Sequence, residues 1–248
     1  MLTIFQYLIT STHNFQHYKH FSSQIKIPLH HFNSRLRKRS SGRNMANKMP
    51  DQSFDYFLVL DFEATCDNDR QPDPQEIIEW PVLKINAKTY KQEGKFHTFI
   101  KPRFHPVLTP FCLNLTTITQ EEVDGGVSFP TALKDFETWI ENEVGLDKKF
   151  VFVTCGDWDM KTMLPNQCQT ENLQVPPYCR SWLNIKKAYA EMTGEFVKGM
   201  MPMIKGLGLT HEGTLHRGLD DCINIANILK FLGERGYKFY VTGGRSRD

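Results

Sequence analysis

Asp61 and Glu63 stand two residues apart at the end of "YFLVLDFEATCD", residues 56–67. Tyr56 to Leu60 is an unbroken aromatic, β-branched and aliphatic run, the pattern of a strand covered on both faces. Side chains alternate along a strand, so Asp61 and Glu63 share a side while Phe62 points away. Two like charges at the end of a buried strand need a partner, and a cation is the simplest one.

A second acid faces inward from the last helical segment. At 100° per residue, the apolar residues between Leu219 and Leu232 spread over one wide arc, and Asp221 falls inside it beside Ile228 and Leu232. Its neighbour Asp220 falls on the polar face with Asn224, Asn227 and Phe231. In "GDWDMKTML" the same wheel does not choose between Asp157 and Asp159, and either acid could cap a helix. His216 precedes Asp221 by five residues.

Converging carboxylates without a nearby basic partner point to hard divalent ions, Mg²⁺ or Mn²⁺, and no His/Cys cluster suggests zinc. Two such ions about 4 Å apart can stabilise the attacking and leaving oxygens of a phosphoryl transfer. A histidine with an ordinary pKa of about 6.5 can take a proton from water at neutral pH. Each residue alone has a plainer reading, as a solvated strand end, a helix cap or a surface histidine. The buried strand and the helix wheel favour the joint reading.

The elements that must position these residues follow from patterning. Glu76–Ile85 and Lys95–Lys101 are expected to be strands that form a meander with the first, with Pro81 marking a bulge or a local edge. Thr119 and Glu122 form a capping box. Phe129–Val144 has helical periodicity, and Phe150–Thr154 is a short buried strand. Helices are predicted from about Asp157, over Ser181–Met192 and over Gly218–Leu232, and a closing strand over residues 237–241. A meander followed by alternating helices and strands makes a mixed-sheet α/β domain over 51–248.

The formal charge of +2 over 248 residues hides an asymmetry. Residues 1–50 hold eight Lys or Arg and no acid; beyond them 22 basic residues face 28 acidic ones, a net of −6. The acid-free leader fits a disordered extension, a mitochondrial transit peptide or a basic arm, with Met45 and Met49 as alternative starts. The acidic remainder must hold any polyanion through a local patch or through metal ions. The six cysteines are scattered without a CxxC pair, as buried thiols of a reducing, intracellular compartment would be. No apolar run is long enough for a membrane span.

"LVLDFEATC", "GDWDMK" and "HRGLDDC" resemble, in order and spacing, the motifs of the DEDDh 3′→5′ exonucleases of the ribonuclease H-like fold. "DPQEIIEWP", "FCLNLTTITQEEVD", "WLNIKKAY" and "LDDCINIANIL" narrow this to the enhanced-RNAi exoribonuclease group, which includes the histone-mRNA 3′ exonuclease; the likeness covers about residues 54–240. The resemblance implies a mixed β-sheet flanked by helices and hydrolysis of single-stranded RNA 3′ ends to nucleoside 5′-monophosphates. It implies two ions, Mg²⁺ or Mn²⁺, held by Asp61, Glu63, Asp159 and Asp221, with His216 as general base and Asp157 left as a cap. It also implies substrate contacts at Ala64, Phe111 and Met160. The family usually has L-T-G-I where this chain has Leu115-Thr116-Thr117-Ile118, a costly exchange if that position needs a positive φ. No SAP-like module or zinc finger is legible, so targeting is expected from the core or from partners. A silent RNA-binding scaffold on the same fold, a DNA-directed exonuclease and a metal-dependent phosphatase, which would share carboxylates but not this motif order, are the competing readings.

Overall fold

The computed structural model describes residues 50–244; the leader expectations for 1–50 fall, Pro50 apart, outside them. A seven-stranded mixed sheet runs in the order β2-β3-β1-β5-β6-β7, with β4 also paired to β3. The strands are β1 (Tyr56–Leu60), β2 (Glu63–Ala64), β3 (Ile77–Asn86), β4 (Gln92–Phe99), β5 (Phe150–Thr154), β6 (Ser181–Asn184) and β7 (Gly243–Gly244). Seven α-helices flank it among the described residues: α1 (Pro110–Thr116), α2 (Gln120–Asp124), α3 (Phe129–Trp139), α4 (Leu164–Thr170), α5 (Ile185–Thr193), α6 (Met200–Leu207) and α7 (Gly218–Glu234).

β1 lies between antiparallel β3 and parallel β5, so it is covered on both edges and both faces, as its unbroken apolar run requires. Phe57 and Val59 pack on one face with Ile225, Ile228, Leu229 and Leu232 of α7. Leu58 and Leu60 pack on the other with Phe136 of α3 and Leu164 of α4. The alternation continues into Phe62 and Ala64 on the second face, which leaves Asp61 and Glu63 on the face that α7 covers.

β1 and β2 run along β3 in one register: Leu60 pairs with Val82 and Glu63 with Glu79. Asp61 thus falls opposite Pro81, which has no N–H to offer a ladder. The pairing breaks there and resumes at Glu63, so Pro81 makes a local edge rather than a bulge. The bulges lie instead at Glu63/Ala64 and Lys84/Ile85.

Four segments depart from expectation. Ser181–Asn184 is not helical: it is β6, parallel to β5, and the helix starts only where the Asn184 side chain accepts from Lys186 N. Residues 237–241 form no strand, because the Gln52 side chain donates to Tyr237 O and accepts from Phe239 N, taking the place of a ladder; the closing strand is β7. α1 and α6 were not anticipated. The Thr119–Glu122 capping box is present at the start of α2, and α3 runs on through a π turn at Ile140–Val144. All six cysteines are free thiols, five of them buried.

Candidate active site

Four acids meet where β1 ends. Asp61 is partly exposed, while Glu63, Asp159 and Asp221 are buried. Asp159 opens a π turn, Asp159–Met163, after β5, and its Oδ1 accepts from Phe62 N at 3.0 Å. The backbone between Asp61 and Glu63 therefore anchors the third acid directly. Asp157, expected as a helix cap, instead accepts from Trp182 Nε1 (2.8 Å) and Asn184 Nδ2 (3.1 Å) and braces β6. Its main chain still occupies the cap position, since its carbonyl accepts from Lys161 N at 2.9 Å, but its side chain does not cap the turn.

Asp221 sits in the first turn of α7, with one oxygen, Oδ2, accepting from His216 N at 2.9 Å. Its other oxygen, Oδ1, is buried without any hydrogen-bond partner. Ligand atoms of Glu63, His216 and Asp221 lie within 4.8 Å of one another, which sets the imidazole beside two of the acids. His216 holds a left-handed backbone (φ 61°) two residues ahead of α7.

Burial and the Asp159, Asp221 and Glu79 carboxylates hold Asp61 well above the usual carboxylate range. Burial, then Asp61, Asp221 and Glu79, do the same to Glu63. Burial raises Asp159 to about 6, against the stabilising N–H of Phe62. Burial raises Asp221 to about 7, against the N–H of His216. Burial pushes the His216 imidazole down from its ordinary value, so the ring is neutral at pH 7. A cluster of this kind has too much negative charge for its setting and favours protons or cations.

Sequence reasoning missed Glu79 and Lys186. Glu79 is fully buried on β3, opposite Glu63. The signal was a single charge inside the apolar run "IIEWPVL". Lys186 adds a compensating positive charge near Asp61, and Gly156 lets it approach: a Cβ there would lie 3.3 Å from Lys186 Nζ. No pattern in the chain marks it.

Of the expected substrate contacts, Ala64 and Phe111 belong to different apolar clusters. The Ala64 carbonyl faces Cys112 Sγ at 3.8 Å, next to the partly buried Phe111 of α1. Met160 is buried in the same cluster as Phe62 and Ala64.

The exonuclease family RNase_T matches residues 58–229, a span that contains all four acids and His216. The chain belongs to that family. ERI1 exoribonuclease 3 of Bos taurus is 50% identical over 213 residues, covering 84% of this chain and 63% of the relative's own length. Among solved structures, the nuclease domain of 3′hExo, described as a DEDDh family member bound to rAMP, superposes with a TM-score of 0.75 at 35% identity. The match covers 79% of this chain and all of that one. A 3′-exonuclease solved for 3′-end specific recognition of histone mRNA stem-loop gives a TM-score of 0.74 at 34% identity, over 79% and 89% of the two chains. The ribonuclease H-like DEDDh fold implies divalent metal ions, and the donors fit them. They are hard carboxylate oxygens, one of them, Asp221 Oδ1, buried with nothing to bind.

Proposed function

We propose that the chain is a metal-dependent 3′→5′ exoribonuclease that removes nucleoside 5′-monophosphates from single-stranded RNA ends. The observation that carries this reading is the convergence of Asp61, Glu63, Asp159 and Asp221 with a neutral His216 beside them. The four acids would hold two Mg²⁺ or Mn²⁺ ions. Bound ions would supply Lewis-acid activation of water and charge stabilisation at the leaving 3′ oxygen. A ring nitrogen of neutral His216 takes the proton of the attacking water, and burial keeps that nitrogen unprotonated at neutral pH. Ala64, which follows Glu63, and Phe111 and Met160 would contact the terminal nucleotide, as the resemblance implies; Ala64 and Met160 share one apolar cluster.

RNA is favoured over DNA because two similar structures are a nuclease domain bound to rAMP and a 3′-exonuclease solved for 3′-end specific recognition of histone mRNA stem-loop. The substrate test compares RNA and DNA oligonucleotides of one sequence with Mn²⁺. Faster release of nucleoside monophosphates from RNA supports the reading; equal or faster loss of DNA overturns the RNA assignment. Localisation follows the sequence expectation, an intracellular site in cytoplasm, nucleus or, through the leader, mitochondrion.

A further inference from the structure

We propose that Glu79 is a positioning residue, which holds the start of α7 so that His216 and Asp221 face the β1–β2 acids. Its kinetic consequence rests on the exonuclease reading above.

Glu79 adds a fifth carboxylate to a buried, acid-rich cleft, yet both of its oxygens are occupied by protein donors. Oε2 accepts from Gly218 N at 2.9 Å; Oε1 takes His97 Nε2 at 2.8 Å and, more weakly, Leu219 N at 3.4 Å. Asp221, whose Oδ1 has no partner, is the contrasting case. Glu79 is thus saturated by the protein, where a ligand would be left open.

The first N–H groups of a helix have no acceptor within it, and Arg217 at the N-cap position gives no side-chain cap. Glu79, 139 residues earlier in the chain, supplies that cap from the neighbouring strand. Negative charge at a helix start is also favourable to the helix dipole. The same strand residue pairs with Glu63 in the sheet, so one side chain ties the base and the last acid to the first two. Gly218 makes the approach possible. A Cβ there would lie 2.7 Å from Asp61 O and 3.2 Å from Glu79 Oε2.

Arg217 completes the clamp. Its Nε is 4.0 Å from Glu79 Oε1, and its Nη atoms reach Glu122 and the carbonyl of Thr117. Its guanidinium lies over the Phe99 ring at 5.1 Å. The residue next to His216 is therefore fixed on three sides.

Glu79→Gln tests this. The amide keeps size and one acceptor oxygen but turns an NH₂ group toward donors. In Mn²⁺ the variant is expected to lose about 30-fold or more in kcat, the range for groups that orient ligands, with KM for RNA within about threefold. A readout independent of turnover is the ring Cε1–H resonance of His216 in metal-free protein, identified by its absence in His216→Asn. It is expected to shift or broaden in Glu79→Gln. In Val144→Ala, a core change remote from the cleft, it is expected to stay put although stability falls. An unmoved His216 resonance together with a wild-type kcat in Glu79→Gln would overturn the positioning role. An inactive wild-type chain would remove the exonuclease reading alone, and the resonance would still decide the role of Glu79.

Discussion

Asp221 Oδ1 is a buried carboxylate oxygen with no donor, in a cleft where Asp61, Glu63 and Asp159 are already held above the usual carboxylate range. Without cations the cluster repels itself, so neutralising one member relieves strain. Asp221→Asn keeps an oxygen for His216 N and is expected to melt no lower than wild type in EDTA at pH 8. It should also lose the stabilisation that Mn²⁺ gives wild type. A lower melting point in EDTA, measured by scanning fluorimetry, would refute the repulsion argument. His216→Asn tolerates the left-handed backbone, so circular dichroism should be unchanged while kcat/KM falls about 10²- to 10⁴-fold, the usual worth of a general base. Asp221 was legible in the sequence because helical geometry puts it inside an apolar arc; His216 lies ahead of that helix, and only the resemblance of its H-x4-D spacing to the exonuclease motif marked it. Asn224 shows the limit of that wheel: placed on the polar face, it is buried and bonded to the Glu212 backbone, since a folded-back loop covers that face. Glu79 was overlooked because a cap reaching across 139 residues leaves no local pattern.

At the scale of elements, the break between β1 and β2 comes from Pro81, and it opens the space into which Gly218 brings α7. Gly218→Ala would set a methyl against backbone and is expected to lower both the melting point and kcat. A normal rate from a normally stable Gly218→Ala protein would show that the helix does not rest on Asp61. Thr117 ends α1 at φ 58°, a left-handed conformation unfavourable for a β-branched residue, and its exposed side chain makes no hydrogen bond. Thr117→Gly should therefore stabilise the fold by about 1 kcal/mol, or about 2–4 °C in Tm for a chain of this size. An unchanged or lower Tm would contradict the strain argument. The strands with continuous apolar runs and the capping box at Thr119 were readable because their causes are local. β6 was not, because four residues also fit the start of a helix and only pairing with β5 decides. Nor was the role of Asp157, whose partners Trp182 and Asn184 come from a strand 25 residues away.

For the whole molecule, the sheet order brings β1, β2 and β3 under one helix, so five acids from distant parts of the chain share one cleft. This arrangement couples stability to pH. Four of the acids, Asp61, Glu63, Asp159 and Asp221, hold protons in the folded chain that the unfolded chain releases near pH 4. The cluster's contribution to the stability of the metal-free protein should then be greatest below about pH 4 and fall as pH rises through about 6 and about 7, the values of Asp159 and Asp221. Divalent ions compete with those protons, so their stabilisation should grow over the same window; a saturating ion at a hundred times its Kd contributes about 2.7 kcal/mol. A metal-induced Tm gain that is flat between pH 5 and 8 would contradict this. The α/β sheet could be anticipated from the order of its apolar runs, while the convergence of the acids needed the register of β1, β2 and β3. The most direct measurement of the central claim uses a 5′-labelled single-stranded RNA with Mg²⁺, Mn²⁺ or EDTA. The account predicts a ladder that shortens from the 3′ end with metal, is absent in EDTA and is lost in Asp61→Ala. RNA left intact by a folded wild-type chain with either metal would contradict it.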